Sequence, residues 1–190
     1  MTELPHRHVR DPHELRAMAH PVRLRILEEL TFGGPATATE LAERVGESPA
    51  NCSWHLRQLA RYGYVEEAGG GTGRRRPWRA VLATREWGSG DQTPELAHAS
   101  DAVSDVVFGR EYEALRAWWA RRRSEPAAWR DGAYAVQSMG WLTVDELTEL
   151  SDEIRRLLLR YVDRVGEPER RPPGSRPIRF AAWAVPARPL

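Results

Sequence analysis

The clearest pattern of apolar and polar positions lies in residues 49–65, PANCSWHLRQLARYGYV. Within it, Cys52, Leu56 and Leu59 are four and three residues apart, which is the spacing of one apolar stripe along a helix. Gly63 ends the pattern, because glycine readily takes the left-handed conformation that follows a last helical residue. The segment is therefore predicted to be a helix that is anchored by one face and leaves its polar faces open.

A second helix is predicted just before this one. Residues 37–45 have the apolar spacing of a short helix, and Gly46 interrupts it. Ser48 then offers a side-chain oxygen that can cap the following helix, with Pro49 at the first helical position. Two helices joined by a short turn that contains glycine predict a helix-turn-helix.

A basic hairpin is predicted directly after the helix-turn-helix. Residues 65–68 and 74–82 have the composition of two strands, and the glycine-rich stretch 69–73 can turn between them. Residues 48–85 hold seven Arg and two Glu, whereas the whole chain is nearly balanced, with 28 basic and 27 acidic residues. Concentrated positive charge on a hairpin of this kind, a wing, favours contact with phosphate.

The polar faces of the predicted helix carry the side-chain types that read DNA. Asn and Gln bind adenine edges, Arg binds guanine or phosphate, and Ser and His add shorter contacts. The residues expected to bind DNA from this helix and its cap are Ser48, Asn51, Ser53, Trp54, His55, Arg57, Gln58 and Arg61, with the two arginines on phosphate. The wing residues expected on the backbone or in the minor groove are Arg74, Arg75, Arg76 and Arg79.

Several of these basic and aromatic residues have a second interpretation. Trp54 is an unusual base reader and could pack against Trp78 instead. Arg23 and Arg25, in an earlier helical pattern that begins at Pro21, either follow the phosphate path or lie on solvated surface. The basic run of the wing could likewise be a solvated run of charge.

Four ordered motifs resemble those of the ArsR-type winged-helix transcription regulators. They are residues 18–27 (MAHPVRLRIL), 39–42 (TELA), 53–59 (SWHLRQL) and 63–65 (GYV), and the resemblance covers roughly the first 85 residues. It implies a homodimeric winged helix that binds double-stranded DNA, usually as a repressor tuned by a ligand. Metal-sensing members of that family carry paired Cys on the helix that matches residues 39–45, where this sequence has none.

The second half of the chain predicts a small α+β unit. A helical pattern spans residues 95–123, and Thr143 with Glu146 forms a capping signature for another long helix. Residues 133–139 and 178–185 have the composition of strands that could pair with each other. The predicted fold class is thus mostly α (α+β), with an N-terminal winged helix-turn-helix and a C-terminal dimerisation and effector region. The predicted parts are a DNA-binding domain at 1–86, a linker at 87–94 and the C-terminal region at 95–190.

Aromatic residues are frequent in this second half. One interpretation is an effector pocket with aromatic walls, which suits a small apolar or aromatic effector. The other is a core or a dimer interface, which also favours aromatic side chains. The candidate pocket residues are Phe108, Tyr112, Trp118, Trp119, Trp129, Tyr134 and Trp141.

Composition and motifs argue against several other classes of protein. The single cysteine, Cys52, cannot form an intramolecular disulfide and falls on the apolar stripe, so we expect it to be buried. No apolar run has membrane-spanning length and the start lacks a signal-peptide core, which predicts a cytoplasmic protein. No catalytic constellation or phosphate loop stands out, so we expect neither an enzyme nor a cofactor. His6, His8 and His13 could bind a metal, but residues 1–11 read as a solvated, frayed arm, and we expect no metal site.

The sequence therefore predicts a sequence-specific transcription regulator, acting as a repressor. Its partners would be a second copy of the chain and an inverted-repeat operator in double-stranded DNA, with a small organic effector as a further ligand. The alternative is a winged-helix protein-interaction module that does not read DNA directly.

Overall fold

The structure is a computed structural model that describes residues 4–70, 76–88 and 93–187. Its helices are α1 (Pro12–Met18), α2 (Pro21–Gly33), α3 (Ala38–Val45), α4 (Pro49–Arg61), α5 (Pro94–Arg121), α6 (Ala127–Gly132), α7 (Val144–Leu158) and α8 (Asp163–Gly166). Its strands are β1 (His6–His8), β2 (Val65–Glu67), β3 (Trp78–Ala80) and β4 (Thr84–Glu86). The predicted class, mostly α with an N-terminal helix-turn-helix, is confirmed.

The main core forms where α2, α3 and α4 pack together. Cys52, Leu56 and Leu59 of α4 are completely buried, together with Ile26 of α2 and Leu41 of α3. Burying a leucine side chain contributes roughly 1.5–3 kcal/mol, so this stripe is the main anchor of α4. The predicted burial of Cys52 is confirmed, and that burial also raises the pKa of its thiol.

Local signals fix where α3 and α4 begin and end. Thr37 caps α3 in a reciprocal capping box with Glu40, and the φ of Gly46 is 70°, the left-handed conformation that ends this helix. The Ser48 side chain accepts a hydrogen bond from the backbone N–H of Asn51 at 3.1 Å. The predicted turn between the two helices therefore forms as expected.

The two predicted wing strands pair as expected. β2 and β3 are antiparallel, with Val65 opposite Ala80 and Glu67 opposite Trp78. Trp78 also exchanges two backbone hydrogen bonds with Ala36, which attaches the hairpin to the segment before α3. Residues 71–75, including most of the predicted tip, lie outside the described residues.

The N-terminal segment was expected to be a frayed arm, and for residues 6–8 that expectation is wrong. β1 pairs in parallel with β4, so that His6 lies opposite Thr84 and His8 opposite Glu86. A second small core follows, in which Val9 and Leu15 of the N-terminal segment and α1 pack against Val103 of α5. Backbone pairing and apolar burial thus both tie this segment to the rest of the fold. The predicted division into residues 1–86 and 95–190, joined by a linker at 87–94, stays a prediction.

The helices of the second half form close to their predicted positions, but its predicted strands do not. α5 and α7 match the two helical patterns, and Thr143 and Glu146 form the predicted capping box at the start of α7. Residues 133–139 and 178–185 are extended segments without strand pairing among the described residues. A strand forms backbone hydrogen bonds with a neighbouring strand, and within residues 4–70, 76–88 and 93–187 no strand adjoins these two segments.

None of the helices within the described residues is both long and apolar enough to cross a membrane. α5 has the required length, but Asp, Glu and Arg occur throughout it.

Removal of one buried side chain tests the anchoring of α4. We expect Leu56→Ala to lower the free energy of unfolding by about 2–5 kcal/mol, because it leaves a cavity where the helix meets α2 and α3. The matched control is Arg57→Ala, an exposed neighbour on the same helix, which should change it by less than about 0.5 kcal/mol. Urea unfolding followed by circular dichroism measures both, and equal losses for the two variants would contradict this packing.

Candidate nucleic-acid interface

The exposed face of α4 is the centre of the candidate interface. Trp54, Arg57 and Arg61 are exposed and lie three and four residues apart, so they form one stripe along the helix. This stripe is turned away from the buried Leu56 and Leu59. The helix therefore offers two cations and an indole to any partner that approaches it from the solvent side.

Three further candidate residues lie at the edges of that stripe. Asn51, Ser53 and Gln58 are half-buried. The side-chain amide of Asn51 donates a hydrogen bond to Glu47 Oε2 at 2.8 Å. To bind an adenine edge, this amide would have to exchange the carboxylate for the base. Gln58 is the better placed of the two amides.

His55 does not fit the base-reading role expected for it. It is only 2% exposed, on the buried side of α4, and its ring lies 4.6 Å from that of His20. Burial, followed by the charges of His20 and Arg23, lowers the pKa of His55, and the Glu47 carboxylate opposes this only in part. A buried, neutral imidazole cannot reach into a groove, so His55 contributes to packing instead.

Trp54 and Arg23 form a small cluster beside this histidine. The Arg23 guanidinium lies 5.9 Å from the centre of the Trp54 indole, and that ring also contacts His55 edge-on at 4.9 Å. Arg23 is buried and donates to the carbonyl of Arg16 at 3.1 Å, so it does not lie on a phosphate path. Trp78, the alternative partner of Trp54, packs against the main core instead.

The described arginines of the wing are ion-paired. Arg79 bonds its cross-strand partner Glu66 at 2.8 Å, and Arg76 bonds Glu67 at 2.9 Å. All four side chains are about half exposed, and such surface pairs contribute only about 0–1 kcal/mol. The two arginines can therefore exchange a glutamate for a phosphate at small cost. The expected contacts of Arg74 and Arg75 lie outside the described residues.

The seven aromatic residues expected to line an effector pocket do not enclose one within the part of the chain that the structure describes. Phe108, Tyr112, Trp119, Tyr134 and Trp141 are exposed, and Trp118 and Trp129 are only half-buried. A cavity of about 320 Å³ lies instead between α2 and α5. Apolar side chains such as Leu27, Phe32 and Val107 line it, and none of the seven predicted residues does. Control by an effector stays a prediction.

A cluster of possible metal ligands lies on the β1–β4 pair, and the sequence did not indicate its full membership. His6, His8 and Glu86 bring three donor atoms within 4.8 Å of one another. The third histidine of the N-terminal segment, His13, is on α1 and is not part of this cluster. The spacing of His6 and His8 was a usable signal, because alternate residues of a strand share a face, but nothing local pointed to Glu86.

The comparison with known families agrees with this geometry. Residues 18–68 match a family model described as a helix-turn-helix domain. No curated protein matches the chain. The matched segment runs from the end of α1 through α4 to the first wing strand, and it supports a DNA-binding role in transcription regulation rather than an enzyme. The more specific resemblance to ArsR-type regulators goes beyond this match and stays a prediction.

The buried histidine makes stability depend on pH. Because the folded-state pKa of His55 is lowered, the folded chain binds fewer protons than the unfolded chain, and acid favours unfolding. We expect the contribution of His55 to the free energy of unfolding to be fully present above about pH 6.5, the pKa of histidine in the unfolded chain. It should be lost as the pH falls through the lower, folded-state pKa. The variant His55→Gln should flatten this part of the stability curve.

The measurement is urea unfolding between pH 5 and 7.5 in steps of half a unit, a range that brackets the ordinary histidine pKa of about 6.5. The exposed His98 supplies the matched control, and His98→Gln should keep the wild-type slope. The same slope in all three proteins would show that His55 does not titrate in this way.

Proposed function

We propose that this chain is a sequence-specific transcription regulator of the repressor type, which binds double-stranded DNA as a homodimer. The observation that carries the proposal is the exposed stripe of α4, where Arg57 and Arg61 follow Trp54 along the helix and Gln58 lies at the edge of the stripe. The major groove of DNA admits a helix, and these side chains suit its base edges and phosphates. The family-model match over residues 18–68 supports the same role.

Within this proposal the residues have separate tasks. Gln58 and Ser53 meet base edges, and Asn51 joins them by exchanging Glu47 for a base. Arg57 and Arg61 bind phosphate, and they set affinity and position more than sequence preference. Trp54 stacks on sugar or base at the N-terminal end of the stripe. The paired wing residues Arg76 and Arg79 bind the flanking backbone, and Arg74 and Arg75 are proposed to act with them.

The homodimer is supported by the apolar surface that one copy leaves uncovered. Among residues 104–187 no side chain is buried, although the segment contains several large aromatic and aliphatic residues. In the extended segment before α7, Val136 is 82% exposed and Trp141 is 97% exposed. Large apolar side chains that remain this exposed favour an interaction site.

A second copy of the chain is the occupant that suits this surface best. The helix α7 is strongly amphipathic, yet Leu150 and Leu157 on its apolar side remain exposed. The extended segments before and after α7 have no strand partner among the described residues, so a neighbouring copy could form backbone hydrogen bonds with them. A twofold-symmetric dimer would also present two α4 helices to an inverted repeat, with half-sites about 34 Å apart along the DNA.

Binding to selected DNA tests the proposed reading face. Selection from a random duplex library should enrich an inverted repeat, and binding to it should weaken steeply as salt rises. Gln58→Ala should reduce discrimination between the selected site and random duplex by roughly 5- to 150-fold, since one good base contact contributes about 1–3 kcal/mol. Arg57→Ala should instead weaken binding to both duplexes.

The matched control for the charge is Arg130→Ala, an exposed arginine on α6, which should bind both duplexes as the wild type does. If the library yields no enriched sequence and binding shows little salt dependence, DNA readout is wrong. The winged helix would then serve a protein partner.

Sedimentation equilibrium tests the dimer. The wild-type chain should sediment as a dimer, and the double variant Val136→Asp with Trp141→Asp as a monomer, because two charges in an apolar interface are left without partners. Trp54→Ala, an exposed tryptophan on α4, is the matched control and should remain a dimer while binding DNA less tightly. A monomeric wild type, or a variant with unchanged mass, would contradict the proposed interface.

A further inference from the structure

The pairing of β1 with β4 sets two imidazoles beside a carboxylate. His6 and His8 are alternate residues of one strand and share a face, while Glu86 lies directly opposite His8 on the neighbouring strand. Arg7, between the two histidines, points the other way, where it bonds the buried carboxylate of Glu14 at 2.5 Å. That inward ion pair fixes which face of β1 carries the histidines.

The distances between the donor atoms are close to those found between the ligands of one metal ion. Glu86 Oε1 lies 3.1 Å from His6 Nε2, and Glu86 Oε2 lies 3.8 Å from His8 Nδ1. At metal–ligand distances of about 2.1 Å, tetrahedral geometry separates neighbouring ligand atoms by about 3.4 Å. Both imidazoles are exposed, so small rotations of their side chains can complete the arrangement.

We infer that His6, His8 and Glu86 bind a divalent transition-metal ion of the Zn²⁺ type. Imidazole nitrogen suits Zn²⁺, Co²⁺, Ni²⁺ and Cu²⁺ better than it suits Mg²⁺ or Ca²⁺, which prefer oxygen ligands. Two imidazoles and one carboxylate are a ligand set that Zn²⁺ uses, with the fourth position left to water or another small ligand. The inference is independent of the proposed DNA binding and reverses our expectation that the chain has no metal site.

A positively charged side chain already contacts the Glu86 carboxylate. Arg155 of α7 approaches Glu86 Oε1 at 2.7 Å, and its guanidinium also lies 3.3 Å from Asp152. An ion bound by Glu86 competes with Arg155 for this oxygen, and the displaced guanidinium keeps Asp152 as its partner. Binding of the metal therefore breaks a contact between β4 and α7 and strengthens the existing contact between β4 and β1.

The expected effect is a stronger attachment of the N-terminal strand. The pair of β1 and β4 spans three residues on each strand, and a two-stranded sheet of this size is marginal in water. An ion held by both strands joins residue 6 to residue 86 and closes a long loop. A ligand that binds only the folded chain raises its stability, so Zn²⁺ should raise the melting temperature.

Titration of the untagged full-length protein with Co²⁺ and Zn²⁺ tests the site. Bound Co²⁺ should give the visible absorption of a tetrahedral complex, at one ion per chain, and Zn²⁺ should displace it. We expect His6→Ala, His8→Ala and Glu86→Gln each to weaken binding at least tenfold and to abolish the rise in melting temperature. The matched control, His13→Ala, removes another imidazole of the same N-terminal segment and should bind as the wild type does.

Arg155→Ala supplies an independent test, because it removes the competing cation and leaves all three ligands in place. It should tighten binding of Zn²⁺, and circular dichroism of each variant shows whether the fold is retained. Wild-type protein that binds no ion, or His8→Ala and Glu86→Gln variants that bind as tightly as the wild type, would overturn the assignment. An Arg155→Ala variant with unchanged affinity would overturn the exchange between Arg155 and the metal.

Discussion

The burial of one stripe of α4 is the constraint on which the candidate interface depends. Cys52, Leu56 and Leu59 are completely buried against α2 and α3, so the helix cannot turn about its own axis. That fixed rotation decides which side chains meet solvent, and it leaves Trp54, Arg57 and Arg61 outside. A change that rotated the helix by one residue, about 100°, would turn these three side chains away from their present direction. The core therefore specifies the surface that can contact DNA, although none of its own residues belongs to that surface.

The features that could be predicted from the sequence are those determined by residues close together along the chain. The cap at Ser48, the left-handed Gly46 and the capping box at Thr143 depend on residues within a few positions of one another, and all three form. His55 shows the limit of reasoning from residue type. Its position, three residues after Cys52 and four before Leu59, belongs to the buried stripe, and that spacing was a better guide than its polar side chain.

Contacts between distant parts of the chain could not be predicted in the same way. His8 and Glu86 meet through parallel pairing of strands that are 78 residues apart, and no local pattern indicates such a partner. The segments 133–139 and 178–185 show the reverse case, because their composition suits a sheet although neither pairs with a strand in the described part of the chain. A strand pattern in the sequence shows only that a segment can adopt an extended conformation. Whether the segment joins a sheet depends on which other strand lies next to it in the fold.

The ion pairs of the wing bear on how such a protein searches DNA. Binding to random sequence depends almost entirely on contacts between cations and phosphates, whereas binding to an operator adds contacts with bases. In the proposed complex a phosphate competes with a glutamate for each of Arg76 and Arg79, and that carboxylate remains close to the duplex. In the proposed complex both effects weaken phosphate contact on any sequence, and only an operator adds base contacts that offset the loss. A wing built in this way favours frequent dissociation and rebinding over long sliding along one stretch of DNA.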